Sequence, residues 1–190
     1  GFFIQEEDAQ TDADPNTSEG VFVFDNNLGV DVNVGDRVRL SGDVTEFFEE
    51  TQIANVTAVA ICNTGVLNEV TRQDLTLPAA SFTDLEALEG MWVRMPQTLT
   101  VSDVFNVVRF GEFVVSNGRL FTPTQIVAPG APAIAQQAAN DLNRVIIDDG
   151  RNGANQIPFL PGQDDINPLN ASNPVRTGFT VSNSEGALGF

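Results

Sequence analysis

At 190 residues the chain has room for one or two small domains, and its 42% hydrophobic content supports real cores rather than global disorder. It carries 26 acidic residues against 9 basic ones, a formal net charge of −17, and has neither histidine nor a second cysteine. This excludes imidazole-dependent nucleophilic catalysis and an internal disulfide, and no stretch approaches the ~20 apolar residues of a membrane helix, so no membrane insertion is expected.

Every basic residue is arginine. A surface this acidic repels polyanions at long range and attracts cations. The plainest reading is a salt-adapted or secreted protein with hydrated carboxylates. Gly1 begins directly in an apolar strand pattern, so we expect no signal peptide here and a piece of something larger.

In chain order, Phe2–Gln5 and Val21–Phe24 are short strand-forming runs, separated by a loop of Asp, Asn, Thr, Ser and Pro. Asn26-Asn27-Leu28-Gly29 reads as a turn. Val38–Thr45 alternates apolar and polar, as a half-buried strand does, and Gly42 interrupts it where a bulge would bend a small barrel. Thr51–Ile53 and Val56–Ile61 supply the next strands, and Cys62 closes the second as a small buried hydrophobe. A short helix is expected over Thr83–Glu89, with Thr83 and Glu86 as its capping box. Met91–Arg94, Leu99–Ser102, Arg109–Gly111 and Phe113–Val115 read as strands. Ala128–Ala133 (APGAPA) reads as a linker, Ala135–Leu142 as one or two helical turns, Val145–Ile147 as a strand, and Asp148–Gly153 as a turn. Asn155–Asn173 is a long polar, Pro-rich loop.

The first stretch reappears in degraded form. Gly1–Gln5 (GFFIQ) is echoed by Gly111–Val115 (GEFVV), and Gly20–Asp25 (GVFVFD) by Asn143–Asp148 (NRVIID). Val32–Phe48 is echoed by Pro174–Phe190, each carrying a glycine (Gly42, Gly186) and closing on phenylalanine. A repeat of short-stranded units is best recognised before a fold is assigned. We expect an all-β chain of two tandem small barrels, 1–80 and 81–190, with little helix and long acidic loops. Among five-stranded barrels the oligonucleotide/oligosaccharide-binding (OB) type is the natural candidate. The comparison of the two copies leads us to expect the first to lack its leading strand and the second its last strands, leaving strand edges that need covering.

Adjacent acids occur at Glu6/Glu7, Glu49/Glu50, Asp148/Asp149 and Asp164/Asp165, and in so acidic a chain they read as solvated rather than catalytic. Asp12, Asp14, Asn16 and Ser18 stand at alternate positions, followed by Glu19. Such oxygen donors can wrap a hard cation such as calcium. They lack the turn glycine and terminal glutamate of an EF-hand, and the alternative is a hydrated loop with no ion. Asp148, Asp149 and Asn152 form a weaker second candidate; without imidazole or paired thiolates, transition metals are not expected.

Gly1–Asp25, Val32–Ile53, Leu88–Leu120 and Asn143–Gly150 together resemble the OB-fold region of large bacterial extracellular endonucleases of the ExeM/NucH and YhcR types. The chain departs from that pattern at Thr177-Gly178-Phe179, where a Gly-Asp pair is expected. The resemblance implies a secreted or surface-anchored multidomain enzyme degrading extracellular DNA, whose catalytic domain lies outside this chain. This chain is then a non-catalytic region, with DNA and that catalytic domain as partners. OB barrels bind single strands through aromatic platforms and a basic groove. The aromatics here are mostly core candidates, Trp92 included, with one of Phe47-Phe48 free to face solvent. The arginines cluster in the second copy, so Arg109, Phe110, Arg119 and Arg144 are the expected DNA contacts, and Asp12, Asp14, Asn16 and Glu19 the expected calcium ligands. The alternative is a structural spacer or interdomain docking module with no nucleic-acid ligand.

Overall fold

The computed structural model describes residues 1–12, 14–26, 28–151, 153–155, 157 and 167–189. Asp164/Asp165 and Asn152 lie outside the described residues. The elements in order are β1 (Phe2–Gln5), β2 (Gly20–Val23), β3 (Arg37–Phe47), β4 (Glu50–Asn63), β5 (Gln73–Asp74), α1 (Phe82–Glu86), β6 (Trp92–Met95), β7 (Leu99–Asp103), α2 (Val107–Phe110), β8 (Phe113–Ser116), α3 (Ala131–Asp141), β9 (Val145–Ile147), β10 (Thr180–Val181) and β11 (Ser184–Ala187). The fold is mostly β, and among the described residues its three small sheets do not close into a barrel. The chain forms two compact units. One comprises Gly1–Leu75, Ser81–Arg94 and Glu185–Phe190, the other Thr76–Ala80 and Met95–Ser184.

The first unit is built on the sheet β1-β2-β4-β3. β1 and β2 pair antiparallel, β3 and β4 form a long antiparallel hairpin, and β4 runs parallel to β2 with Phe22 opposite Gln52. The register of the hairpin shifts between Ser41 and Asp43, so the Gly42 bulge expected from the sequence is present. Thr51–Ile53 and Val56–Ile61 are one strand rather than two, continuing through Asn55 at φ 49. Cys62 corrects the expectation of burial. Only β3 flanks β4 at that end, so Ile61 and Cys62 project past the covered part of the sheet and are exposed.

At the hairpin tip Phe48 (φ 51) and Glu49 (φ 71) both take left-handed conformations, the geometry two-residue hairpin loops favour but one that suits Asn-Gly. Phe47 and Phe48 are both exposed, their rings stacked edge-on at 4.6 Å. A second sheet of the same unit, ordered β11-β6-β5, pairs β5 parallel to β6. Here the backbones of Gly20 and Gly90 pass so close that a Cβ on Gly20 would lie 2.2 Å from the Gly90 carbonyl carbon.

The second unit carries the sheet β10-β7-β8-β9, antiparallel throughout. Period-two alternation sends Leu99, Val101 and Val115 to one face, where they are fully buried with Leu77. Three local expectations are corrected, the first of them in the first unit. Helix α1 is capped by Ser81 and Asp84, two residues before the expected pair; both reciprocal bonds of the box are made there. Arg109–Gly111 is not a strand: α2 carries Arg109 and Phe110 and ends at Gly111 in the left-handed region (φ 80). Half of APGAPA is not linker, because α3 starts at Ala131 with Pro132 in its first turn, where a missing N–H costs nothing.

Two outcomes follow. Gly20→Ala should destabilise the protein by about 1–3 kcal/mol, since rigid backbone rather than a side chain must give way, read as a lower urea midpoint. Replacing Phe48-Glu49 by Asn-Gly should stabilise it by about 1 kcal/mol by relieving the left-handed strain, read in the same assay.

Candidate nucleic-acid cleft

The second unit holds a cleft of about 360 Å³ on the face of β7 and β8 opposite Leu99 and Val101. Ser102, Asp103 and Val114 form its floor, Arg119, Phe121 and Gln125 one wall, and Gln137, Asn140 and Arg144 the other. The floor is tied down by the Ser102–Ser116 hydroxyl contact at 2.5 Å and by the Leu120 amide donating to Ser102 Oγ at 2.9 Å. Ser116 is fully buried and also donates to the Gly118 carbonyl at 2.7 Å. Asn140, itself buried on α3, donates to the Phe121 carbonyl at 3.1 Å and accepts from Gln136. These bonds hold the 117–122 loop against α3, so the two walls are set by buried polar groups that are satisfied.

The arginines come from separate segments. Arg119 lies on the loop after β8, its guanidinium 5.2 Å from the Phe121 ring centroid. Arg144 immediately precedes β9 and pairs with Asp141 at 3.3 Å, the arginine exposed and the aspartate half-buried. A surface pair of this kind is worth little and exchanges readily for another anion. The sequence singled out Arg119 and Arg144, and the fold brings them to one cleft. It does not bring Arg109 and Phe110 there: these lie on α2, stacked on each other at 4.8 Å, with the Arg109 carbonyl accepting from the Asn155 amide. Phe121, Gln125, Gln137 and Asn140 were missed. Phe121 follows an arginine in a loop with no strand pattern to bury it, which is the one signal that pointed to it.

The acidic loop behaves differently. Glu19 Oε1 accepts from the Asp12 amide at 3.1 Å, Asp12 Oδ1 from the Asp14 amide at 2.8 Å, and Asp14 Oδ1 from the backbone and side-chain amides of Asn16 at 3.0 and 2.8 Å. The four expected ligands are therefore neighbours, but their oxygens close the loop on itself. Backbone and then side-chain bonds from Asn16 hold the Asp14 carboxyl below the usual range. Among the described residues no three acidic side chains converge on a cation position. In the second candidate, Asp149 is nearly buried against Arg151 and Asp148 accepts from the Gly150 amide. Gly111 leaves the room for Asp149, because a Cβ there would lie 2.5 Å from its carboxylate.

One carboxyl departs upward. Burial lifts the Glu89 carboxyl above the usual range, and Glu86, Glu50 and Glu46 add to the lift against the Thr51 amide bonded to it at 3.3 Å. Comparison of the chain with protein-family models, curated proteins and solved structures returns no match.

Because its folded pKa is raised, Glu89 favours the folded state most when protonated, and that contribution is lost as pH rises through the folded pKa. Glu89→Gln keeps the acceptor and removes the charge. It should therefore raise Tm at pH 7 and leave Tm unchanged at pH 4; a gain of equal size at both pH values would contradict this origin.

Proposed function

We propose that this chain is the non-catalytic accessory region of a secreted bacterial nuclease, built of two OB-like barrels, that positions extracellular DNA for a separate catalytic domain. The barrel reading is supported by the internal repeat. The echoes equate β8 with β1, β9 with β2, and the start of β3 with β10. One sheet then reads β1-β2-β4-β3 and the other, in equivalent strands, β3-β7-β1-β2. Laid over each other, the two orders make one ring of five, β7-β1-β2-β4-β3 and back to β7. Each copy contains four of the five, as expected of incomplete versions of one small Greek-key barrel.

The observation that carries the DNA reading is the cleft where Arg119 and Arg144 meet beside the exposed Phe121 ring. In a chain of net charge −17, two arginines from different segments meet in a polar hollow beside an exposed aromatic, against one lining carboxylate, Asp103, and Asp141 next to Arg144. Phosphate pairs with guanidinium as a bidentate acceptor, and a base can stack on the phenyl ring. Membership of the extracellular endonuclease family, and extracellular location with it, rests on the sequence motifs. Asp12, Asp14, Asn16 and Glu19 would hold calcium in this reading by trading their amide bonds for the ion. The cleft residues do not depend on it.

A spacer or docking module is the second reading, and one observation favours it. Arg37 is paired with Glu7 and Glu69, Arg72 with Glu185, Arg94 with Asp74 and Arg151 with Asp149, so these cations are spent on the chain's own acids.

Fluorescently labelled single- and double-stranded DNA, titrated at low salt with and without millimolar calcium, separates the two. Binding should fall with salt, with a slope of about −0.7 per phosphate contacted on a single strand. Arg119→Ala and Arg144→Ala should each weaken it by roughly tenfold, the loss of one charge-assisted contact, while Arg109→Ala should leave it unchanged. Absence of binding to either DNA would leave the spacer reading.

A further inference from the structure

Of the arginines in the first unit, Arg37, Arg72 and Arg94 are paired with acids, while among the described residues Arg39 makes no ion pair. Arg39 lies on β3, which ends its sheet and whose outer edge makes no backbone bond among the described residues. Most of that strand is exposed, Val44 to 75%. A long open edge is ordinarily covered, because its free N–H and C=O groups recruit another strand. We propose that β3 pairs with β3 of a second copy of this chain, antiparallel about a two-fold axis at Ser41. The inference goes beyond the proposed function and rests on neither the barrel reading nor DNA binding.

The order of side chains along β3 matches its own reverse. Two-fold pairing sets each residue opposite the one equally far beyond the axis. With Ser41 on the axis, Arg39 meets Asp43 of the second copy, and Asp43 meets its Arg39. Both ion pairs form on the face that Ser41 shares, while on the other face Val38 covers the exposed Val44. Arg37, held by Glu7 and Glu69 of its own chain, meets the neutral Thr45, and Leu40 meets Gly42. Within one chain Arg39 and Asp43 stand four residues apart on an extended strand, about 13 Å, and do not reach each other. Asp43 accepts from the Asn55 side-chain amide at 3.0 Å and has no cation paired with it among the described residues. An axis at Leu40 or Gly42 would set Arg39 against Ser41 or Thr45 instead. Just outside the paired segment Asp36 would face Glu46, a like-charge contact that ends the pairing at Arg37 and Thr45. Arg37–Thr45 is short beside the ~20–30 residues a side of a standard interface, and each copy carries a net charge of −17, so the dimer is weak, with a Kd of about 10–100 µM.

Sedimentation equilibrium of the full chain, under reductant and at about 150 mM salt, should show a reversible dimer as concentration rises. Arg39→Asp and Asp43→Arg should each weaken it by about tenfold or more, because each sets like charges opposite one another. An equimolar mixture of the two variants should dimerise again, since each supplies the charge the other lacks. A general charge effect predicts otherwise: Asp43→Arg makes the chain less acidic and would strengthen association. A monomer at every concentration, a dimer that both variants keep, or a mixture no stronger than its components would overturn the proposal. If a variant does not fold, Ser41→Cys in a Cys62→Ser background is treated with oxidised glutathione. Opposed residues of an antiparallel pair have Cα atoms about 4.5–5.5 Å apart, within disulfide reach, so a covalent dimer is expected. The parent chain, whose exposed Cys62 lies on β4, controls for random collision. Cross-linking no faster than the parent's sinks the two-fold pairing. The DNA titration is read on variants of the second unit, so failure of one proposal leaves the other standing.

Discussion

Everything in the first unit depends on the pairing of β4 with two different neighbours. Along most of its length β4 is held by β3, and over Gln52 and Ile53 it also lies parallel to β2. That parallel contact joins a β1–β2 pair and a β3–β4 hairpin that are far apart in sequence, and no hairpin turn could make it. Remove it and two isolated two-stranded ribbons remain, each marginal in water. The Gly42 bulge belongs to the same constraint, because a strand that must serve one side of a small curved sheet and then another has to bend.

In the second unit the corresponding burden falls on β7. It lies between β8 and β10, and its Leu99 and Val101 complete the best-buried group of side chains in that unit. The opposite face of the same strand carries Ser102, whose hydroxyl helps to fasten the 117–122 loop. One strand therefore supplies apolar contacts to the core on one side and polar anchoring to the cleft on the other. Leu99 and Val101 serve the core, while Ser102 and, past the bulge after Val101, Asp103 line the cleft.

The acidity of the chain is handled by pairing and by local bonding rather than by a single charged site. Arg37, Arg72 and Arg94 serve as bridges to acids in the first unit, and Asp8, Asp12 and Asp14 are occupied by hydroxyl and amide donors in the loop region. Asp8 is held below the usual carboxylate range by the Thr71 hydroxyl and then by its amide. Arg109 and Arg119 each lie over a phenylalanine ring, as Arg72 lies over Trp92, a contact that leaves the N–H fork of the guanidinium edge available to an anion.

The strands were legible because their signals are local: β-branched and aromatic runs, period-two alternation, and a glycine where β3 bends. At the places the expected repeat equates, β1 with β2 and β8 with β9 are both antiparallel pairs, in registers that differ. Arg119 and Arg144 could be named from the sequence as the arginines of the more basic copy, but not as neighbours. Whether two residues on different segments share a cleft depends on how a loop folds back over a sheet, and here the buried Asn140 and Ser116 decide it. The misplaced strand at Arg109–Gly111 and the exposed Cys62 have the same origin. In each case a local apolar pattern was outweighed by tertiary position, Gly111 ending a helix against Asp149 and Cys62 lying beyond the reach of any covering layer. The acidic loop shows the limit from the other side. Composition located four oxygen donors within a few residues, and only the folded chain showed that they bond to one another.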